Sequence, residues 1–176
     1  MNKVVNREKL FSARLLTIYK KSVQNNDDSI WEREVVTYGG SAAVVLAEYE
    51  GKIILVSQFR PTAEKYFLEL PAGRIKKGEQ PIQCAKREFE EETGLVPLNL
   101  EEIISFYPSP GFVDEKMHLF YANKFNKGSV NFDPGEELKT VLLPVNKIDE
   151  YINGKIDDGK TLIGLLMWRM LKDEFK

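Results

Sequence analysis

GRIKKGEQPIQCAKREFEEETGL, residues 73–95, decides how this chain is read. From Pro81 onward Ile82, Ala85 and Phe89 recur at helical spacing, which predicts a helix over 81–93 with a narrow apolar stripe. Pro81 suits a first helical turn and Gly94 suits a C-terminal cap. The helix then closes on Glu88, Glu90, Glu91 and Glu92, where like charges repel and the macrodipole disfavours negative charge. On a wheel of about 100° per residue, Glu91 falls roughly −60° and Glu92 roughly +40° from Glu88. Three carboxylates therefore share one arc, while Glu90 points to the opposite side and Phe89 lies beside the acidic edge. Clustered carboxylates without histidine or thiolate are the ligand set of a hard cation, Mg²⁺ or Mn²⁺. The charge pattern alone leaves a second reading open, a solvated acidic face paired with Lys86 and Arg87.

Outward from this helix the pattern is mostly strand. Upstream, "ARLLTIYK" (13–20) and "WEREVVTY" (31–38) mix apolar and polar residues at roughly period two. "SAAVVLAEY" (41–49), then Glu50-Gly51, then "KIILVSQF" (52–59) reads as a hairpin of buried strands, and "YFLEL" (66–70) as a short strand stopped by Pro71. Downstream, "LEEIISFY", "MHLFYANKF" and residues 138–145 are strand candidates, and "KTLIGLLMWRML" (160–171) is a well-buried helix. The result is an α/β protein with a mixed sheet and few helices. It has neither G-x-G-x-x-G nor a P-loop and lacks regular βαβ alternation.

The 176 residues show no repeat or linker, and the expectation is one domain over 1–176. A net charge of −2, from 25 basic and 27 acidic residues, gives no reason to expect nucleic acid or an anionic membrane as partner. Cys84 is the only cysteine, so no intrachain disulfide can form. With no apolar leader or membrane-length run, a cytoplasmic location is expected. One cysteine and one histidine make a His/Cys zinc site implausible, and His118 sits in a run read as core or edge strand rather than as part of a catalytic triad.

The flanking spacing tips the acidic helix toward the metal reading. Gly73, Glu79, Arg87, Glu88, Phe89, Glu91, Glu92, Gly94 and Leu95 fill every specified position of G-x5-E-x7-R-E-U-x-E-E-x-G-U, where U is apolar. The stretch resembles the Nudix box. That resemblance implies a Nudix fold, a mixed β-sheet sandwiched between helices, and hydrolysis of a nucleoside diphosphate linked to another moiety. It implies Glu88 and Glu92 as principal metal ligands, Glu91 near the metals through water, and the Ala72 carbonyl as a further ligand. Arg87 would orient these carboxylates by charge-assisted hydrogen bonds, and Glu79 would hold loop and helix together.

Features outside the box resemble the ADP-ribose pyrophosphatase branch. "YPSPGFVDE" (107–115) places Pro110, followed by Gly111, fifteen residues after Leu95 where that branch has a proline, "VSQFRP" (56–61) offers Arg60 to phosphate or ribose, and Trp31 sits in a strand whose aromatic stacks on adenine. "GKIDDGKTLIGLLMW" (154–168) matches its C-terminal segment loosely. Each has a plainer reading: Trp31 as a half-buried strand residue, Arg60 paired with a surface carboxylate, Pro110 and Gly111 as turn formers. The branch implies a general base from a loop outside the box, here "NFDPGEEL" (131–138). Glu136 is favoured over Glu137, with Glu115 as a third candidate that would otherwise contact metal or ribose. It also implies a homodimer exchanging N-terminal strands, with residues 1–38 as the dimer-forming part and 39–176 as the core. The alternatives are a pyrophosphatase for GDP-mannose or another nucleotide sugar, and a non-catalytic nucleotide-binding module.

Overall fold

The computed structural model describes residues 1–132 and 137–174. The chain divides into two compact units, Met1–Ser41 with Phe106–Met117, and Ala42–Ser105 with His118–Lys176. In the first, β1 (Lys3–Ser12), β2 (Thr17–Gln24) and β3 (Ile30–Thr37) form an antiparallel sheet in that order. The strand expected to begin at Ala13 begins at Thr17, because Ala13 N–H bonds the Leu16 carbonyl and closes the β1–β2 turn. Every residue of β1 is exposed. The segment after residue 106 is stitched to the end of β3: Val36 N–H donates to the Phe112 carbonyl at 2.7 Å and Tyr38 N–H to Asp114 Oδ1 at 3.1 Å.

The second unit is built on the hairpin of β4 (Ala42–Tyr49) and β5 (Lys52–Arg60). Its turn residues Glu50 and Gly51 both take positive φ, 49° and 71°, the geometry whose twist matches paired strands. A seven-stranded sheet follows the order β12 (Leu138–Pro144), β5, β4, β10 (Met117–Ala122), β9 (Glu101–Phe106). The other two of the seven lie off this path: β6 (Lys65–Glu69) pairs with β5, and β7 (Ala72–Arg74) with β4. β8 (Leu95–Pro97) and β11 (Phe125–Lys127) form a separate ribbon. The helices are α1 (Pro81–Thr93), α2 (Ile148–Ile152) and α3 (Gly159–Leu171).

β4 explains the layering. Its residues alternate between faces, and all from Ala42 to Ala47 are buried. Ala43, Val45 and Ala47 share one core with Cys84, Ala85 and Phe89 of α1. On the alternate set, Glu48 Oε2 accepts from Trp168 Nε1 of α3 at 2.7 Å. The mixed sheet is thus covered by helices on both faces. Phe89 is fully buried and stacks on Phe125 with ring centroids 5.5 Å apart. Burying that ring stabilises the α1 contact by about 1.5–3 kcal/mol. Ile82, expected in the same stripe, is exposed in the first turn; Glu92 takes a buried place at the other end. Among the described residues no helix is long and apolar enough to cross a membrane.

Candidate active site

α1 begins with Pro81 in its first turn, where Gln80 N–H donates to Gln83 Oε1 at 3.0 Å. It ends where Gly94, at φ 71°, donates its N–H to the Glu90 carbonyl at 2.8 Å. Between these caps the packed residues Cys84, Ala85 and Phe89 fix the helix rotation. That rotation sets Glu88 against β7, for a Cβ built on Gly73 would run into the Glu88 carboxylate. Glycine at this position is what lets backbone and carboxylate approach.

Arg87 organises the acidic edge. Its Nε and Nη2 bind Glu79 Oε1 and Oε2 at 2.8 and 3.0 Å, and its Nη1 binds Glu88 Oε1 at 2.6 Å and Glu91 Oε2 at 3.0 Å. Nη2 also reaches the Arg74 carbonyl at 3.2 Å. The Arg87 hydrogen bonds hold the Glu79 carboxyl down at about 2, helped by the Lys76 N–H and opposed by partial burial. Glu88 moves the other way: burial pushes it up, and its Arg87 contact does not fully offset this. Burial and the Glu88 charge push the Cys84 thiol up to about 12, so it is protonated at neutral pH.

Arg60, at the end of β5, binds Glu69 through Nε and Nη2, each at 2.6 Å. Its partner is a carboxylate, as the plainer reading anticipated, but a buried one. Burial pushes Glu69 up, yet Arg60 and Lys160 together outweigh it and leave the carboxyl below its ordinary value. Sequence reasoning missed Lys160 and Asp158. The available signal was Asp158 standing before an apolar run as a helix cap, and its side chain does accept from Thr161 N–H at 3.0 Å.

The remaining candidates fall in two places. In the second unit, Gly128 N–H donates to the Gly94 carbonyl at 2.8 Å and Asn131 N–H to the Glu91 carbonyl at 2.9 Å. Residues 128–131 are thereby pinned to the end of α1, beside a cavity of about 390 Å³ lined by Lys86, Arg87, Glu91 and Asn131. Glu137 is exposed just ahead of β12, and Glu136 lies outside the described residues. In the first unit, Trp31 is 39% exposed and donates Nε1 to Asn25 Oδ1 at 3.1 Å. Pro110 and Gly111 are exposed in a turn where the Ser109 carbonyl accepts from Phe112 and Val113, and Glu115 is half-buried beyond it. His118 is a β10 residue whose Nδ1 lies 2.8 Å from Glu102 Oε1.

The donor set suits a hard divalent cation. Glu88, Glu91 and Glu92 supply oxygens on one helix edge, the β7 backbone lies against Glu88, and the nearby thiol is protonated. Among the described residues no three acidic, His or Cys side chains converge into a ready cage. Glu88 and Glu91 are instead bound to Arg87, and one guanidinium facing Glu79, Glu88 and Glu91 leaves excess negative charge.

Comparison with known proteins gives a consistent result. The NUDIX domain model matches residues 37–163. The ADP-ribose pyrophosphatase of Bacillus subtilis (strain 168) is 41% identical over 124 residues, covering 70% of this chain and 67% of its own. The methanol dehydrogenase activator of Bacillus methanolicus is 37% identical over 166 residues, covering 93% and 90%. A crystal structure of an ADP compounds hydrolase has a TM-score of 0.88 at 21% identity, covering 98% of this chain and 95% of that one, which shows a shared fold.

Proposed function

The chain belongs to the Nudix family, and on that premise we propose that it hydrolyses the diphosphate of ADP-ribose to AMP and ribose 5-phosphate. The observation that carries the chemistry is the carboxylate edge of α1 set against the Gly73 backbone and organised by Arg87. The choice of substrate is supported by similarity to the Bacillus subtilis ADP-ribose pyrophosphatase.

In this reading Glu88, Glu92 and the Ala72 carbonyl hold Mg²⁺ or Mn²⁺, with Glu91 acting through water. The bound cation supplies charge neutralisation at the diphosphate oxygens and a lowered pKa for the attacking water. Arg87 keeps Glu88 and Glu91 in fixed orientations, so little reorganisation is needed as charge develops. Glu136 accepts the proton of the water, with Glu137 and Glu115 as its rivals for that role. The water oxygen bonds to one phosphorus, the bond from that phosphorus to the bridging oxygen breaks, and the bridging oxygen leaves on the other phosphate. Arg60 binds a phosphate, Trp31 stacks on the adenine, and Pro110 and Gly111 shape the turn that receives the substrate. We treat 1–176 as one cytoplasmic Nudix hydrolase domain that forms homodimers through the strands before residue 38. The exposed apolar side chains of Val4, Leu10, Phe11 and Ile30 support that contact.

The test is a substrate panel with Mg²⁺: ADP-ribose, GDP-mannose, FAD, a diadenosine polyphosphate and NAD, with products separated by chromatography. AMP and ribose 5-phosphate, at a kcat/KM well above the other compounds, is the expected result. Preference for GDP-mannose would keep the chemistry and overturn the assignments of Trp31, Arg60 and Pro110. No turnover with either Mg²⁺ or Mn²⁺ would favour a nucleotide-binding module.

A further inference from the structure

Lys160 stands in the first turn of α3 with its side chain only 8% exposed. A lysine at that depth needs partners for its charge. It has two: Nζ donates to Glu69 Oε2 and lies 3.0 Å from Asp158 Oδ2. Glu69, 3% exposed, already accepts both Nε and Nη2 of Arg60. One buried carboxylate is therefore shared by a cation from β5 and a cation from α3.

The network extends along the backbone toward the candidate metal site. Asp158 Oδ2 accepts from Thr161 N–H at 3.0 Å and from Thr161 Oγ1 at 2.6 Å, and Thr161 Oγ1 accepts from Leu70 N–H at 2.8 Å. The next carbonyl, Pro71, accepts from Val45 N–H at 2.9 Å, immediately before Ala72 and Gly73. A Cβ on Gly164 would run into Leu70, so α3 sits hard against this segment. The Glu69 hydrogen bonds raise the Arg60 guanidinium above its ordinary value against the effect of burial, with smaller contributions from the Asp158 and Glu92 charges. Replacing a buried ion cluster by apolar side chains often leaves stability unchanged or raised. Folding alone is thus a weak reason for two cations on one carboxylate.

We propose that Lys160 is a positioning residue for Arg60: by holding Glu69 Oε2 it fixes the carboxylate that clamps the Nε–Nη2 edge, leaving the Nη1 edge for a substrate phosphate. This rests on the reading of Arg60 as a phosphate-binding residue. Lys160 itself does not touch substrate.

The test combines Lys160→Met, Lys160→Arg, Arg60→Gln and the Lys160→Met/Arg60→Gln double variant. kcat and KM are measured for ADP-ribose with Mg²⁺, and solvent exchange of the Arg60 Nε–H is followed by NMR. Lys160→Met should lower kcat/KM about 10- to 100-fold, the scale of a displaced binding group, chiefly through KM. Lys160→Arg should restore most of the loss. The double variant should lie within about twofold of Arg60→Gln alone, because both changes disable one device. The Nε–H should exchange faster in Lys160→Met. A lowered Tm with kcat/KM unchanged, losses that multiply in the double variant, or an unaltered Nε–H would each overturn the proposal. If Lys160→Met does not fold, Lys160→Gln carries the same comparison. If the wild-type protein does not hydrolyse ADP-ribose, the functional reading falls, and Nε–H exchange still decides whether Lys160 holds Arg60.

Discussion

Replacing Arg87 by glutamine should damage both fold and chemistry, in amounts that can be separated. The guanidinium is 22% exposed and binds Glu79 through two donors, Glu88 and Glu91 through one, and the Arg74 carbonyl. Its worth lies between an exposed pair, below about 1 kcal/mol, and a broken buried pair, about 3–5 kcal/mol; about 3 kcal/mol suits this burial and number of bonds. At this chain length that lowers Tm by about 6–12 °C. The deficit must depend on pH. Glu79 is held down at about 2 from an ordinary 4.5, so its contribution is fully present above pH 4.5 and is lost as pH falls through about 2. The Tm gap between wild type and variant should therefore narrow steadily from pH 5 toward pH 2.5. With Glu88 and Glu91 released, kcat/KM for ADP-ribose should fall about 10- to 100-fold. Thermal melts across pH, with steady-state kinetics at pH 7, measure both effects. A variant melting within about 1 °C of wild type at pH 7, or a gap that widens in acid, would refute the assignment of Arg87 as organiser of this edge.

Gly73→Ala should force Glu88 away from β7. We expect kcat/KM to drop by about 10-fold or more while Tm changes by only a few degrees, read by kinetics and melting on the same samples. Glu136→Gln, Glu137→Gln and Glu115→Gln form a set in which one variant should lose about 10²- to 10⁴-fold in kcat with little change in KM, which identifies the base; three mild losses would exclude all of them. Phe89→Ala should cost about 3–5 kcal/mol, because the ring is fully buried and stacked on Phe125. Denaturant unfolding measures it, and a cost below about 1 kcal/mol would contradict the packing described.

The parts legible in the sequence were those written locally. Pro81, the 3.6-residue pattern and Gly94 placed α1 at its observed ends, and Glu50-Gly51 between apolar runs placed the β4–β5 hairpin. The acidic edge followed from helical geometry alone, and Glu92 proved deeper than a wheel can show, since a wheel gives direction and not depth. β1 was not delimited within the strand-like N-terminal region 1–38, because it pairs with β2 and buries none of its residues, which leaves no alternation to read. The short helix α2 was missed because five residues carry little periodicity. The Lys160–Glu69 contact joins residues 91 positions apart, and no local pattern records it. Arg60 was legible as a residue of interest, but its buried partner was not, since that depends on how β6 pairs with β5.

The claim on which everything else depends is that the Glu88–Glu92 edge holds the divalent cation needed for hydrolysis. The direct measurement is calorimetric titration of Mg²⁺ and Mn²⁺ into wild type and Glu92→Gln, with turnover of ADP-ribose on the same preparations. Wild type should bind the cation and release AMP. Glu92→Gln should keep its fold by circular dichroism, bind the cation far more weakly, and lose nearly all turnover. Cation binding and turnover within a few-fold of wild type in Glu92→Gln would contradict the metal assignment.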